Sequence, residues 1–457
     1  MKKIKAISVK NLFGTLSYDI KIRKDTPTVL TAPNGAGKTH ILEMLFSLLT
    51  GDLISLSSMP FDELRVIASD ESGISVKREL LDGQPQLTLN ATSQRHSIGK
   101  PVKISPDLLA NDLYRELPPW LRRVRPGRWL DMRRDIYLNA SQVHRIYGHS
   151  PISQLSAIEE REDLSEFLNG KVTLVDTKRL DAVATTGRGR ASIDHMVDDP
   201  SEGEARIADY MRHLQSAIQS AQRESVAAAQ KSDSQLVQRA LDAASKTFRL
   251  EDLRHDYKQL QEHYQALAAN TLAPGGALIP FPKRDTPTIR KIMGAFLEGY
   301  DERLEPLLQV NMKIQTLRDI LDNKLNVSGK KTKMLSRGGL GFFSADGQRV
   351  RVEQLSSGEQ HLVAIFTSLL FATDSESLVL IDEPEISLHM SWQHDFLDDI
   401  SRIAEINSLQ VIMATHSTAI VNGRDDLREA LHMPHFTDND SPQPVNLDVD
   451  EFEDDEL

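Results

Sequence analysis

The chain has 457 residues, 40% hydrophobic and 26% charged, the balance of a globular protein able to build one large core or two to three smaller ones. It holds no cysteine, which excludes disulfides, thiolate metal sites and a cysteine nucleophile. Its net charge of −12 is concentrated in residues 437–457, where nine carboxylates stand without a Lys or Arg; the remainder is near about −3, which neither favours nor forbids nucleic acid. No run of about 18 apolar residues appears, so no membrane span is expected. Met1-Lys2-Lys3-Ile4-Lys5 leads into alternating residues instead of an apolar signal core, and a cytoplasmic location is expected.

Residues 3–31 read as three strands: Ile4, Ala6 and Ser8 alternate with their neighbours, Leu16 to Ile22 alternates again, and Pro27 to Thr31 runs into a glycine-containing loop. Ile41, Leu42, Leu45 and Leu48 then recur at helical spacing. Residues 62–104 predict antiparallel strands with turns at Asp70–Gly73 and Asp82–Gly83. Leu117-Pro118-Pro119 breaks any helix. It precedes a basic and aromatic segment from Trp120 to Arg134, with Arg122, Arg123, Arg125, Arg128, Trp129 and Arg133 between. Two readings of it stay open: arginines neutralising phosphates while tryptophans stack on bases, or tryptophans in the core and arginines paired to surface acids. Thr173 to Thr177 is a short apolar strand, and Thr185 to Arg190 a mobile loop.

Residues 201–326 are helical. Ile207, Met211, Leu214, Ile218 and Ala221 fall at four- and three-residue steps, a coiled-coil seam. Leu236, Leu241, Ala244 and Phe248 continue a less regular helix, then Tyr257, Leu260, Tyr264 and Leu267. After a break at Ala273-Pro274-Gly275-Gly276 and Ile279-Pro280-Phe281-Pro282, a return helix carries Ile289 to Leu321, with a kink expected at Pro306. A helical hairpin or short antiparallel coiled coil, and a plain bundle packed on the core, both fit. The acidic end is a solvated terminus in the simplest reading; docking through Phe452, or mimicry of DNA, is the alternative.

Four separated segments carry chemistry. Ala32-Pro33-Asn34-Gly35-Ala36-Gly37-Lys38-Thr39 lies between a buried strand and a helix, where glycines let backbone N–H groups fold around phosphate oxygens and the helix N-terminus adds partial positive charge. Candidate nucleotide contacts are Asn34, Gly35, Ala36, Gly37, Lys38, Thr39 and His40. Lys38 is placed to bridge the β- and γ-phosphates of ATP, and the Thr39 hydroxyl to ligate Mg²⁺. Leu378-Val379-Leu380-Ile381 predicts a strand buried on both faces. It ends in Asp382, a candidate for the Mg²⁺ shell, and Glu383, a candidate general base. An exposed acidic turn before Pro384 would leave that apolar run unexplained. Val411-Ile412-Met413 ends in Thr415-His416, bringing His416 within reach of the γ-phosphate. Leu355-Ser356-Ser357-Gly358-Glu359-Gln360 offers hydroxyl and N–H donors ahead of a helix.

In this order, the segments resemble the motifs of the ABC-type ATPase superfamily: the loop its first nucleotide motif, Leu355 to Gln360 its signature, His416 its switch histidine. The resemblance implies an α/β head with a mixed sheet, an antiparallel β-subdomain and an inserted helical or coiled-coil domain. It also implies ATP sandwiched between two copies, Ser356, Ser357 and Gly358 of one capping the phosphate held by Lys38 of the other. More than two thirds of the chain separates Lys38 from Ser356, as in the SMC-like and DNA-repair heads and unlike the transporter ATPases. Glu383-Pro384-Glu385-Ile386-Ser387-Leu388-His389 with Ser391-Trp392-Gln393 looks like the OLD nucleases and the stand-alone ATPases of Septu and PARIS anti-phage systems; Asn11-Leu12-Phe13-Gly14 and Asp176 to Leu180 share that likeness. Two departures stand out. Ala32 replaces the usual opening glycine, and where these heads carry a sensing glutamine the most similar segment has Lys178, with Gln142 a distant alternative.

The implied organisation is an N-terminal lobe over 1–195, a helical insertion over 196–328, a C-terminal lobe over 329–436 and an acidic tail over 437–457. About 40 residues follow His416, so no nuclease domain is expected in the chain. The expectation is an ATPase acting as sensor and switch in an anti-phage complex. Its partners would be a second copy of itself, a separate effector nuclease and a phage-encoded trigger. The alternatives are an SMC-like DNA-repair or DNA-end-binding ATPase using Trp120 to Arg134, and a scaffold in which ATP only joins two copies; an intact Glu383 argues against the scaffold.

Overall fold

The computed structural model describes residues 2–93, 96–106, 117–125, 128–133, 136–139, 143, 146–147, 157–158, 160–176, 181–185, 200–273, 278–336 and 338–432. Lys178, Gln142, Arg134, the loop beyond Thr185, the turn from Pro274 and the acidic tail lie outside the described residues.

The fold is α/β, with an antiparallel sheet and a largely parallel one, as expected. β1 (Ile4–Leu12) and β2 (Leu16–Lys21) form a hairpin. β2 alternates buried and exposed residues throughout, the pattern of a strand with one face on the core. β3 (Thr28–Thr31) then leads through the glycine loop into α1 (Lys38–Leu49), followed by the short α2 (Leu53–Ser57). The antiparallel sheet is completed by β4 (Glu63–Ala68), β5 (Ser72–Leu81), β6 (Gln84–Ser93) and β7 (His96–Ile104), in the order β2-β1-β4-β5-β6-β7. Asp82 and Gly83 join β5 to β6 with φ of 50° and 77°, the paired left-handed conformation that a two-residue hairpin needs.

A three-stranded meander follows: β8 (Leu121–Arg125), β9 (Arg128–Asp131) and β10 (Ile136–Asn139). It decides part of the Trp120 to Arg134 question. Trp129 is wholly buried in the core, and the Arg133 guanidinium lies 3.5 Å from the centroid of the Trp120 ring. Base stacking by Trp129 is therefore ruled out, and Trp120 is already covered on one face. Arg122 is exposed. α3 (Glu162–Leu168) precedes β11 (Val172–Asp176) and β12 (Asp181–Thr185).

The helical region contains α4 (Pro200–Ser234), α5 (Leu236–Ser245), α6 (Leu250–Ala269) and α7 (Pro287–Leu325). Thr286 caps α7, its hydroxyl accepting from the Ile289 N–H at 3.2 Å, and Pro287 occupies the first turn, where no donor is lost. Pro306 lies inside α7 without ending it. Ile207, Leu214, Ile218 and Ala221 are buried as the seam requires. Leu241 departs from expectation, being 63% exposed, and Phe248 falls in the link between α5 and α6. α7 packs against α4, α5 and α6, and the apolar residues of α4, α6 and α7 are continuous with those of the sheet, which favours the packed bundle over a projecting hairpin.

After β13 (Lys330–Met334), β14 (Leu340–Ser344) and β15 (Arg349–Val350) come α8 (Ser357–Thr367), β16 (Leu378–Asp382), α9 (Met390–Asn407), β17 (Gln410–Thr415), α10 (Thr418–Val421) and β18 (Arg428–Ala430). The central sheet runs β12-β11-β16-β17-β3-β18, parallel except for β12. Its two-residue period divides the core. Leu30, Leu378, Leu380, Ile412 and Ala414 join α1 and the antiparallel sheet, while Val29, Val379, Ile381, Val411 and Met413 join the helices. Gln410 ties the sheets together, its amide accepting from Ile4 N (2.7 Å) and donating to Ile4 O (2.6 Å) and Arg23 O (2.9 Å). Among the described residues no helix is long and apolar enough to cross a membrane.

Candidate functional site

β3, β17 and β16 are sheet neighbours in that order and point the same way, so their carboxyl ends emerge on one edge. Thr31 pairs with Thr415, and Ala414 with Asp382, which puts the loop after Thr31, His416 and Glu383 at one level. A crevice outside the carboxyl ends of parallel strands is where α/β sheets bind ligands. Here a cavity of about 570 Å³ is lined by Phe13, residues Asn34 to His40, Glu383 and His416. Segments from opposite ends of the chain thus meet because the sheet interleaves their strands.

The loop conformation follows from its glycines. Gly35 and Gly37 have φ of 83° and 78°, a region costly for residues with a Cβ. At Gly37 a Cβ would also come within 2.8 Å of Leu12 Cδ2. Lys38 is buried, and its ammonium donates to the carbonyls of Ala32 (2.9 Å) and Pro33 (3.3 Å), closing the loop. The alanine replacing the usual glycine thus supplies its carbonyl to Lys38 while its side chain packs on the core. Tyr18 donates its hydroxyl to Ala36 O at 3.0 Å, and burial pushes its pKa above the usual phenol value. Phe13, left-handed at φ 55° and 42% exposed, meets His40 edge to face at 4.8 Å between centroids.

Thr39 donates its hydroxyl to Asp382 Oδ2 at 2.9 Å, so two hard oxygen donors from opposite ends of the chain stand side by side. Asp382 itself is buried behind the lining of the cavity, and Glu383 turns out of the strand into it. Glu383 is left-handed (φ 43°, ψ 57°), with its N–H donating to Ala414 O at 2.8 Å. Such a conformation costs a non-glycine residue about 1–3 kcal/mol and persists only where surroundings enforce it.

Glu385, given no role from sequence, organises the far wall. Its Oε1 accepts from the Thr415 hydroxyl (2.7 Å), His416 N (2.8 Å) and Ser417 N (3.2 Å), and lies 2.8 Å from His416 Nδ1. Gln393 supports the same turn: its amide accepts from Ser417 Oγ (2.9 Å) and donates to the carbonyls of Glu385 (3.3 Å) and Leu388 (3.2 Å). The available signal was the second acid of Glu-Pro-Glu, too close to Glu383 to be told from it without coordinates.

Ser356, Ser357 and Gly358 do not line the cavity. They open α8, with both serines exposed. Ser356 and Glu359 form a reciprocal capping box: Glu359 N donates to Ser356 Oγ (3.4 Å), and Ser356 N to Glu359 Oε2 (2.8 Å). Burial works to raise the Glu359 pKa, but hydrogen bonds from Lys330 (2.8 Å), Ser328 (2.6 Å) and Ser356 N outweigh it and hold the carboxyl below its usual range. The turn is thereby fixed with both of its serines exposed.

Residues 212–422 match the family model described as "AAA domain, putative AbiEii toxin, Type IV TA system". Among curated proteins the chain is similar to a DNA double-strand break repair Rad50 ATPase of Sulfolobus acidocaldarius, 25% identical over 142 residues, 25% of this chain and 16% of that protein. The chain therefore spans about a sixth of the relative it matches. Among solved structures it is similar to the Smc head domain with an extended coiled coil from Pyrococcus furiosus, bound to the C-terminal domain of ScpA (13% identity, TM-score 0.36, 95% of this chain and 94% of that one). It is also similar to the SMC head domain from Thermotoga maritima (10% identity, TM-score 0.32, 92% and 91%). The family match spans Asp382, Glu383 and His416 but not the loop from Asn34 to His40, so it covers one of the two parts of the chain that meet at the cavity.

Proposed function

We propose that this chain binds ATP in the cavity at the carboxyl ends of β3, β17 and β16 and hydrolyses it between two copies. The observation that supports it most is the meeting of Lys38, Thr39, Asp382, Glu383 and His416 at one sheet edge, with Thr39 hydrogen-bonded to Asp382 at 2.9 Å. The N–H groups of residues 34–39 cradle the β-phosphate, and Lys38 exchanges its loop carbonyls for phosphate oxygens. Phe13 offers an aromatic face for the base. Thr39 and Asp382 supply the hard oxygen donors that Mg²⁺ prefers, so the residues fit that ion; when bound it would neutralise charge on the phosphate oxygens. Glu383, held into the cavity by its left-handed backbone, orients water against the terminal phosphorus. The bond to the leaving oxygen breaks, giving ADP and phosphate, while His416 contacts the transferred group.

The outward-facing Ser356–Gly358 turn completes the site of the opposite copy, since it offers anion donors with no anion-binding partner in its own chain's cavity. Turnover that rises with protein concentration, fails in Glu383→Gln and is lost together with ATP-dependent self-association in Ser356→Arg is expected. Unchanged turnover in Glu383→Gln would refute the catalytic assignment, and ATP-dependent dimers of Ser356→Arg the sandwich.

The ATPase serves as sensor and switch in an anti-phage complex, holding a separate effector nuclease until a phage-encoded trigger binds. What supports this is the Glu-Pro-Glu to Gln393 run, together with a family model whose description names a toxin. Affinity capture with and without infection tests it; recovery of no nuclease in either state would remove this reading and leave the ATPase intact. The DNA-repair reading has the Rad50 similarity in its favour and the exposed Arg122. It requires salt-sensitive DNA binding that falls in Arg122→Ala.

A further inference from the structure

We infer that Glu385 is the positioning residue for His416, fixing which ring nitrogen faces the nucleotide; the inference rests on the ATPase reading of the cavity. One carboxylate oxygen accepts from the backbone N–H of His416 at 2.8 Å, stands 2.8 Å from its Nδ1, and also holds Thr415 and Ser417. A carboxylate at that distance can only accept, so Nδ1 carries a proton and Nε2 is left for the cavity, which the ring lines. Glu385 is 6% exposed in its side chain against 46% for His416, so the holder is buried and the held ring reaches solvent. A buried acceptor resists rotation of the turn, because any movement strands its charge.

The arrangement reaches further through Gln393, which joins the Glu385 backbone to Ser417 from the first turn of α9. The 415–417 turn is therefore gripped from the 385 carboxylate and from the 393 amide at once. Among the described residues Glu385 is the one polar contact of the His416 ring, so its orientation depends on Glu385.

Two readouts test this on the full-length protein. In ¹⁵N-histidine-labelled protein without nucleotide, the His416 ring, identified by loss of its signals in His416→Ala, is expected to be protonated at Nδ1. Glu385→Ala, which removes the acceptor, should abolish that preference. In steady-state turnover, replacing the carboxylate beside the ring by a neutral amide in Glu385→Gln should lower kcat about 10-fold or more and leave KM for ATP within about two-fold. Glu385→Gln should cause no further loss in a His416→Ala background, and Glu385→Asp, which keeps the charge, should recover part of the turnover. Additive losses, an unchanged ring signature in Glu385→Ala, or an Asp variant no better than Gln would each overturn the inference. If wild-type protein has no ATP turnover while the ring signature responds as expected, the ATPase reading fails and the positioning of His416 stands.

Discussion

His361 provides a test of the fold around the Ser356 turn that needs no nucleotide. It lies on α8, shortly beyond Ser356, and its Nε2 is buried with no partner among the described residues. Burial lowers its pKa from 6.5 to about 4. The folded state therefore keeps the ring neutral where the unfolded chain already takes a proton. Because the unfolded state binds more protons in this window, stability falls as pH drops from about 6.5 to about 4 and levels off below. The full gap corresponds to about 3 kcal/mol, of which about 2 kcal/mol is lost by pH 5. Urea denaturation of wild type and His361→Gln at pH 7 and pH 5 isolates this contribution, since other titrating groups are common to both. Wild type should lose about 2 kcal/mol more than the variant between the two pH values. Equal losses, or a folded His361 that titrates near 6.5, would refute the reasoning.

Gly37→Ala should destabilise by at least about 1–2 kcal/mol from the left-handed backbone alone, with the contact to Leu12 Cδ2 adding to it, and should abolish nucleotide binding; denaturation and fluorescent-nucleotide titration measure the two effects. Glu359→Ala removes the buried partner of Lys330 and the acceptor of Ser356 N. It should cost about 3 kcal/mol, the low end for a broken buried pair, because Lys330 keeps 19% of its side chain in solvent. Its ATP-dependent self-association should weaken as the Ser356 turn loosens, read by analytical ultracentrifugation. Leu380→Ala empties a fully buried place in β16 and should cost about 2–5 kcal/mol by thermal or urea unfolding.

The parts legible in the sequence are those set by local pattern. The apolar runs of β3, β16 and β17 announced buried parallel strands, and the placement of chemistry directly after each run located the cavity without coordinates. Asp82-Gly83 announced its hairpin because few residues tolerate two successive left-handed conformations. What stayed hidden depends on non-local geometry. Whether Trp129 faced bases or core could not be read from a segment where both uses need the same residues. Leu241 falls on helical spacing yet remains exposed, because apolar spacing marks a face without saying what meets it. Glu385 was invisible as a functional residue because its meaning comes from the Thr415–Ser417 turn far downstream, delivered by the β16–β17 register.

That register also explains how the helical region is built into the site. β11 and β16 pair in parallel, Val172 against Leu378, although α4 to α7 lie between them in the chain. The helices pack on the face formed by Val29, Val379, Ile381, Val411 and Met413, the residues alternating along the strands that end at the cavity. A second tie runs through α9, which begins at Met390, directly after the Pro384–Ser387 turn. Trp392 Nε1 donates to Lys324 O of α7 at 3.2 Å, and buried Lys324 lies 2.7 Å from Asp399 of α9. Burial raises the Asp399 pKa, partly offset by Lys324, so the pair adds little net stability; separating its members costs about 3–5 kcal/mol. α7 and α9 are thus bound more tightly to each other than a surface contact would hold them. Displacement of α7 has to carry α9 and, through Gln393, the turn that holds His416. In the proposed switch, movement of the helices need not reach the cavity through the sheet core, where strand pairing resists change. The shorter route is the Glu385–Gln393 grip on the turn that carries His416, the contact proposed to aim its ring.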